Sequence, residues 1–148
     1  MFQARWSTRR SETAVSSSPP EPTNQAAVLV RKAAADAIAV RELAGNSEIT
    51  DEIIGFHAQH AIEKWLKALM AHRGMDEVRI HDIGRLLQLL QNDGAELPVN
   101  AEQLDDLTIY AVPMRYDELL DAEPLDREAT VELVDEVGRW ASNALGQS

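Results

Sequence analysis

Between residues 24 and 146, apolar positions recur at three- and four-residue intervals. No segment alternates with the period of two that a half-buried strand requires. The clearest stripe is Ile54, Ala58, Ala61, Ile62, Trp65, Leu66, Leu69 and Met70. It predicts a helix from Thr50 or Asp51 to Arg73, with Asp51 and Glu52 at the positive end of the helix dipole and Gly74 as terminator. Before it, Val30, Ala33, Ala34, Ala37, Ile38 and Ala44 predict a helix capped at Thr23 or Asn24 and closed by Gly45-Asn46. After it, Ile83, Leu86, Leu87 and Leu90 predict a short helix capped by His81 or Asp82 and ended at Asn92-Asp93-Gly94. A fourth helix is expected from Asn100, with Leu104, Leu107, Thr108 and Ala111 inward until Pro113 kinks or ends it. A last helix capped by Asp126 places Thr130, Val134, Val137, Ala141 and Leu145 inward and stops at Gly146. The sum is an all-α fold, an antiparallel up-and-down bundle of four main helices plus a short one.

Residues 1–23 fall outside this periodicity. Ser16-Ser17-Ser18-Pro19-Pro20-Glu21-Pro22 is poor in core-forming residues, so a disordered tail is expected ahead of one domain over 24–146. Arg5, Arg9 and Arg10 make that tail basic. It has no apolar core of a secretory signal, and no run approaches the ~18 apolar residues of a membrane span. With no cysteine, a disulfide framework, thiolate metal site or cysteine nucleophile is excluded. A cytoplasmic location without membrane contact is expected.

The net charge of −11 changes the picture because it is one-sided. Residues 1–92 carry 11 Lys+Arg against 11 Asp+Glu, and residues 93–148 carry 3 Arg against 14 Asp+Glu, giving 0 and −11. A nucleic-acid footprint over the whole domain needs the opposite sign. Any phosphate contact is therefore expected from the first part, where Lys64, Lys67, Arg73, Arg79 and Arg85 could form a basic patch.

Candidate chemistry is sparse. His57 and His60 share a helix face, and Glu63 one turn on could be a third ligand, but without an HExxH pattern no metal site is expected, and no cofactor is implied. There is no Gly-rich phosphate loop and no serine in a nucleophile context. Glu63, Lys64 and Lys67 read as helix-surface charge, and Asp82 as a cap. His81 is the one candidate proton donor or acceptor. Arg115 and Tyr116 follow Pro113, at a bend where a planar guanidinium and a stacking ring can be aimed into a groove.

Three blocks alter the weight of these residues: FHAQHAIEKWLKAL over 56–69, HDIGRLL over 81–87, and LTIYAVPMRYD over 107–117. In this order and spacing the chain resembles the prokaryotic HEPN domain family, over about residues 25–145. The resemblance implies a helical bundle, a homodimer, and a nucleotidyltransferase partner in a toxin–antitoxin-like pair. Gln59, Glu63, Lys64, His81, Asp82, Arg115 and Tyr116 are the matching polar positions, and a nucleotide or RNA ligand is expected at Glu63, Lys64, Lys67, His81, Asp82, Arg115 and Tyr116. A buried Glu63 would need a partner, and Arg115, aimed in by the kink, could supply a Glu63–Arg115 pair. Many relatives are metal-independent ribonucleases marked by an arginine, four to six residues, then a histidine. This chain departs from that signature. Arg73 precedes His81 by seven intervening residues and Arg79 by one, and no histidine follows Arg115. A binding or partner module is therefore expected before two alternatives: a ribonuclease toxin using His81 with Arg115 or Arg73, and a structural dimeric partner protein.

Overall fold

The computed structural model describes residues 22–146; of the tail expected over 1–23, residues 1–21 lie outside the described residues, and Pro22 and Thr23 belong to the first helix. All described regular structure is helical: α1 Pro22–Ala44, α2 Asp51–His72, α3 Ile83–Asn92, α4 Ala101–Leu104, a 3₁₀ helix Asp105–Tyr110, α5 Tyr116–Asp121 and α6 Arg127–Ala144. The expected helical bundle is what forms. No described helix is long and apolar enough to cross a membrane.

α2 is the axis of the bundle. Its whole predicted stripe is buried, with Ile54, Ile62 and Leu66 fully so. Burying each such side chain contributes about 1.5–3 kcal/mol. α1 packs antiparallel to α2 through Ala26, Ala33, Ala37 and Val40. Ala34 and Ile38, expected inward, face out instead. Ala33 and Ala37 of the predicted stripe are buried; α1 is alanine-rich on several faces, so periodicity alone drew the stripe too wide.

α6 lies parallel to α2. Arg127 meets Asp51 at one end, and Gly138 lies against the Trp65 ring further along. α6 is therefore antiparallel to α1. Asp126 caps α6 by accepting from the Ala129 N–H, and Asp82 caps α3 by accepting from the Arg85 N–H. Each such cap is worth about 1 kcal/mol. Positive φ at Gly74, Gly94 and Gly146 matches three of the four predicted glycine stops; Gly45, after α1, does not take it.

The segment expected as a fourth main helix is one α turn followed by the 3₁₀ helix. Asn100 gives it no side-chain cap; its amide instead donates to Glu136 on α6. The tighter winding lays Tyr110 flat on Gly55, where a Cβ would stand 2.5 Å from the ring. Burial and the nearby Asp51 charge push the Tyr110 hydroxyl pKa up. Pro113 then ends the helix rather than bending it. α5, which no sequence signal predicted, starts afresh at Tyr116, with Glu118 accepting from the Arg115 N–H.

The acidic first turn of α2 does more than complement a dipole. Asp51 accepts from the Leu125 N–H at 2.9 Å and from Arg127 at 2.8 Å, and Glu52 accepts from the Met114 N–H at 2.7 Å. Arg127 also donates to the carbonyls of Ala44, Asn46 and Ile49, clamping the α1–α2 turn to the start of α6. The hydrogen bond from Leu125, then Arg127 against an opposing burial penalty, holds the Asp51 carboxyl below its ordinary range.

Candidate functional site

Two carboxylates organise the polar residues of α2. The first belongs to α2 itself. Glu63 is buried, its side chain only 7% exposed. Lys67, one turn on, donates to Oε2 at 2.9 Å. His81 Nδ1 lies 3.0 Å from Oε2 and 3.2 Å from Oε1. Gln59, one turn back and fully buried, donates through Nε2 to Oε1 at 3.1 Å and to the His81 carbonyl at 2.9 Å.

These contacts fix the protons. Glu63 can only accept, so His81 must carry hydrogen on Nδ1 and, when neutral, present an open Nε2. His81 is 58% exposed, so that nitrogen is available while the other is anchored. The Gln59 amide cannot turn over, because its oxygen would then face two acceptors. Its Oε1 is accordingly buried without a partner among the described residues. An unmet group of this kind costs about 1–3 kcal/mol. Burial alone pushes the Glu63 carboxyl up. The hydrogen bonds from Lys67, Gln59 and His81, with the Lys67 charge, outweigh it and leave the pKa below the ordinary range.

The second carboxylate is Asp36 on α1. It accepts from His57 Nδ1 at 2.8 Å and from Lys64 Nζ at 2.5 Å. No sequence signal pointed to Asp36; only the α1–α2 register brings it opposite both residues. The histidine pair is thus divided. His57 is spent on Asp36, while His60 Nε2 donates to the Ala111 carbonyl at 3.2 Å and its ring lies 4.1 Å from the Phe56 ring, tilted at 42°. Among the described residues no three of His, Asp and Glu converge on a metal-sized space.

Of the residues singled out in the sequence, Glu63, Lys67 and His81 come together, and Gln59, from the same block, joins them. Lys64 faces the other way, toward Asp36. Asp82 is adjacent in sequence but spends its carboxylate on the α3 cap. Arg115 does not meet Glu63. Its side chain is 79% exposed and lies 3.9 Å from Asp117 and 4.0 Å from Glu118, both of its own helix. Because Pro113 ends the preceding helix, the chain leaves the bundle before Arg115 and cannot aim it inward. The Tyr116 side chain lies outside the described atoms. In the basic patch, Arg73 binds Asp93 and Arg85 reaches Gln88.

Comparison with known proteins agrees with this architecture. The crystal structure of TT1696 from Thermus thermophilus superimposes with a TM-score of 0.67 at 25% sequence identity, covering 82% of this chain and 98% of that one. No curated protein matches the chain. The family model for the HEPN domain matches residues 26–144, and the chain therefore belongs to the HEPN domain family.

Proposed function

We propose that the protein is a nucleotide- or RNA-binding module of the HEPN family, acting as a cytoplasmic homodimer beside a nucleotidyltransferase in a toxin–antitoxin-like pair. The observation that carries the binding part is the Glu63–Lys67–His81 centre. A carboxylate held ionised out of water keeps one histidine anchored and its outer nitrogen exposed. Protonated His81 and the rim of Lys67 offer donors to a phosphate oxygen. Lys64 faces Asp36 on the α1 side and would reach the same ligand only by leaving that carboxylate. Arg115 and Tyr116, at the start of α5, are candidates for a separate contact with the same ligand or with the partner protein. The one-sided acidity of residues 93–148 favours the α2 side for most of a polyanion's contacts.

Fluorescence polarisation with labelled ATP and single-stranded RNA tests this reading. Saturable binding that weakens on His81→Ala and Lys67→Ala supports it. Titrations flat to millimolar ligand contradict it, and co-purification with a partner in that case favours a purely structural role.

One observation favours a second reading. A histidine oriented by a buried carboxylate is equipped for proton transfer. A metal-independent ribonuclease using His81 would arrest growth and degrade RNA on induced expression, with both effects abolished by His81→Ala. Intact RNA in wild-type cells eliminates it.

A further inference from the structure

We propose that the segment Phe2–Arg10 of this chain seats on a groove between α6 and the loop 96–100. The groove is walled by Trp140 and Leu133 on one side and Leu97 and Val99 on the other. Its walls are tied together, since Trp140 Nε1 donates to the Glu96 carbonyl at 3.2 Å and Asn100 donates to Glu136. Yet Val99 is 100% exposed. A β-branched side chain standing wholly in water beside a tryptophan is an apolar surface ready to be covered.

The charge around the groove narrows the occupant. Glu96 and Glu136 line it, with Arg139 as the one cation among its lining residues. A second copy would bring the same acidic border to the same face, so self-pairing there meets like charge. Phe2–Arg10 has the opposite character. Phe2 and Trp6 are four residues apart, Arg5, Arg9 and Arg10 accompany them, and the first acid is Glu12. Aromatic anchors would meet Val99 and Trp140 while arginines meet Glu96 and Glu136.

Connectivity allows it. α1 is antiparallel to α6, so Pro22 emerges at the end of the bundle where α6 finishes and Trp140 lies. The eleven residues Ser11–Glu21 span up to roughly 36 Å when extended. That matches the full length of the 23-residue α1, about 34 Å.

The absence of cysteine makes the test clean. A nitroxide is placed on Ala4→Cys in the full chain, and amide signal loss is read by NMR. Loss concentrated at Glu96–Asn100 and Leu133–Trp140 is expected, with those signals recovering at least twofold on Trp6→Ala and on Val99→Lys. Val99→Lys changes only a solvent-exposed position, so its fold is secure. Uniform or absent loss overturns the proposal, as does loss that persists in Val99→Lys. A mixture of nitroxide-bearing chains at natural isotope abundance with nitroxide-free ¹⁵N chains separates the two connectivities. Loss in that mixture means that the segment reaches another copy, and contradicts seating on its own chain.

Discussion

Glu63 and Asp36 hold the same two partners, one lysine and one histidine, yet they are different objects. Asp36 reaches α2 from a neighbouring helix and binds His57 and Lys64 at the edge of the α1–α2 seam. His57 is 30% exposed and Lys64 26%, so water can replace either contact. Glu63 projects from the axial helix toward His81, just ahead of α3. Its neighbour Gln59 is fully buried and ties the carboxylate to the backbone at His81. The lesson is that composition does not set the role. Burial and a buried amide make Glu63 a fixed charge that orients His81, whereas Asp36 is a seam between two helices.

The widest gap between the two centres should appear on truncating each acid. Glu63→Ala leaves Gln59 and Lys67 without their acceptor and should lower unfolding free energy by about 3 kcal/mol, at the low end for breaking a buried pair. Urea unfolding measures it. A loss no larger than that of Asp36→Ala would erase the distinction.

Ligand binding should separate the histidines next. His81→Ala should weaken phosphate-ligand affinity about tenfold, which is about 1.4 kcal/mol, and His57→Ala should leave it unchanged. Equal losses from both would place the ligand elsewhere on α2.

Acid should act on Glu63 with a definite sign. Its folded pKa lies below the ordinary 4.5, so the unfolded chain binds the proton first. The stability it contributes is fully present above that ordinary value and is lost as pH falls through the lower folded pKa. Urea midpoints of wild type and Glu63→Gln should therefore converge only on the acid side. A difference that is constant with pH would show that the ionised form is not what the site holds.

Asp36→Ala should cost about 1 kcal/mol or less, because both partners can turn to solvent. Smallest of all, Arg115→Ala should change stability by no more than about 0.5 kcal/mol. A larger loss in that variant would mean that Arg115 enters the bundle after all.

Much of this was legible in the chain. The α2 stripe, the Asp82 and Asp126 caps and three of the four glycine stops follow from local rules, because each depends on neighbours within a few residues. Asp36 was not legible, since its partners lie 21 and 28 residues away and only helix register joins them. The expected Glu63–Arg115 pair failed for a related reason. A proline after an apolar run is compatible with a kink or a stop, and the choice was made by Tyr110 packing on Gly55, a contact between segments 55 residues apart. The α1 face was ambiguous because alanine buries little on any side. Gln59 was visible as part of the family block, but its role as the link between Glu63 and the His81 backbone needed the fold.

The central claim is that Glu63 anchors His81 so that its outer nitrogen meets a phosphate. Its most direct test is the ring Cε1–H NMR signals of the four histidines during titration with a nucleoside monophosphate, assigned through His81→Ala and His57→Ala. The account predicts that the His81 signal moves with saturation while His57, held by Asp36, stays in place. A stationary His81 signal, or a shift confined to His57, would contradict it.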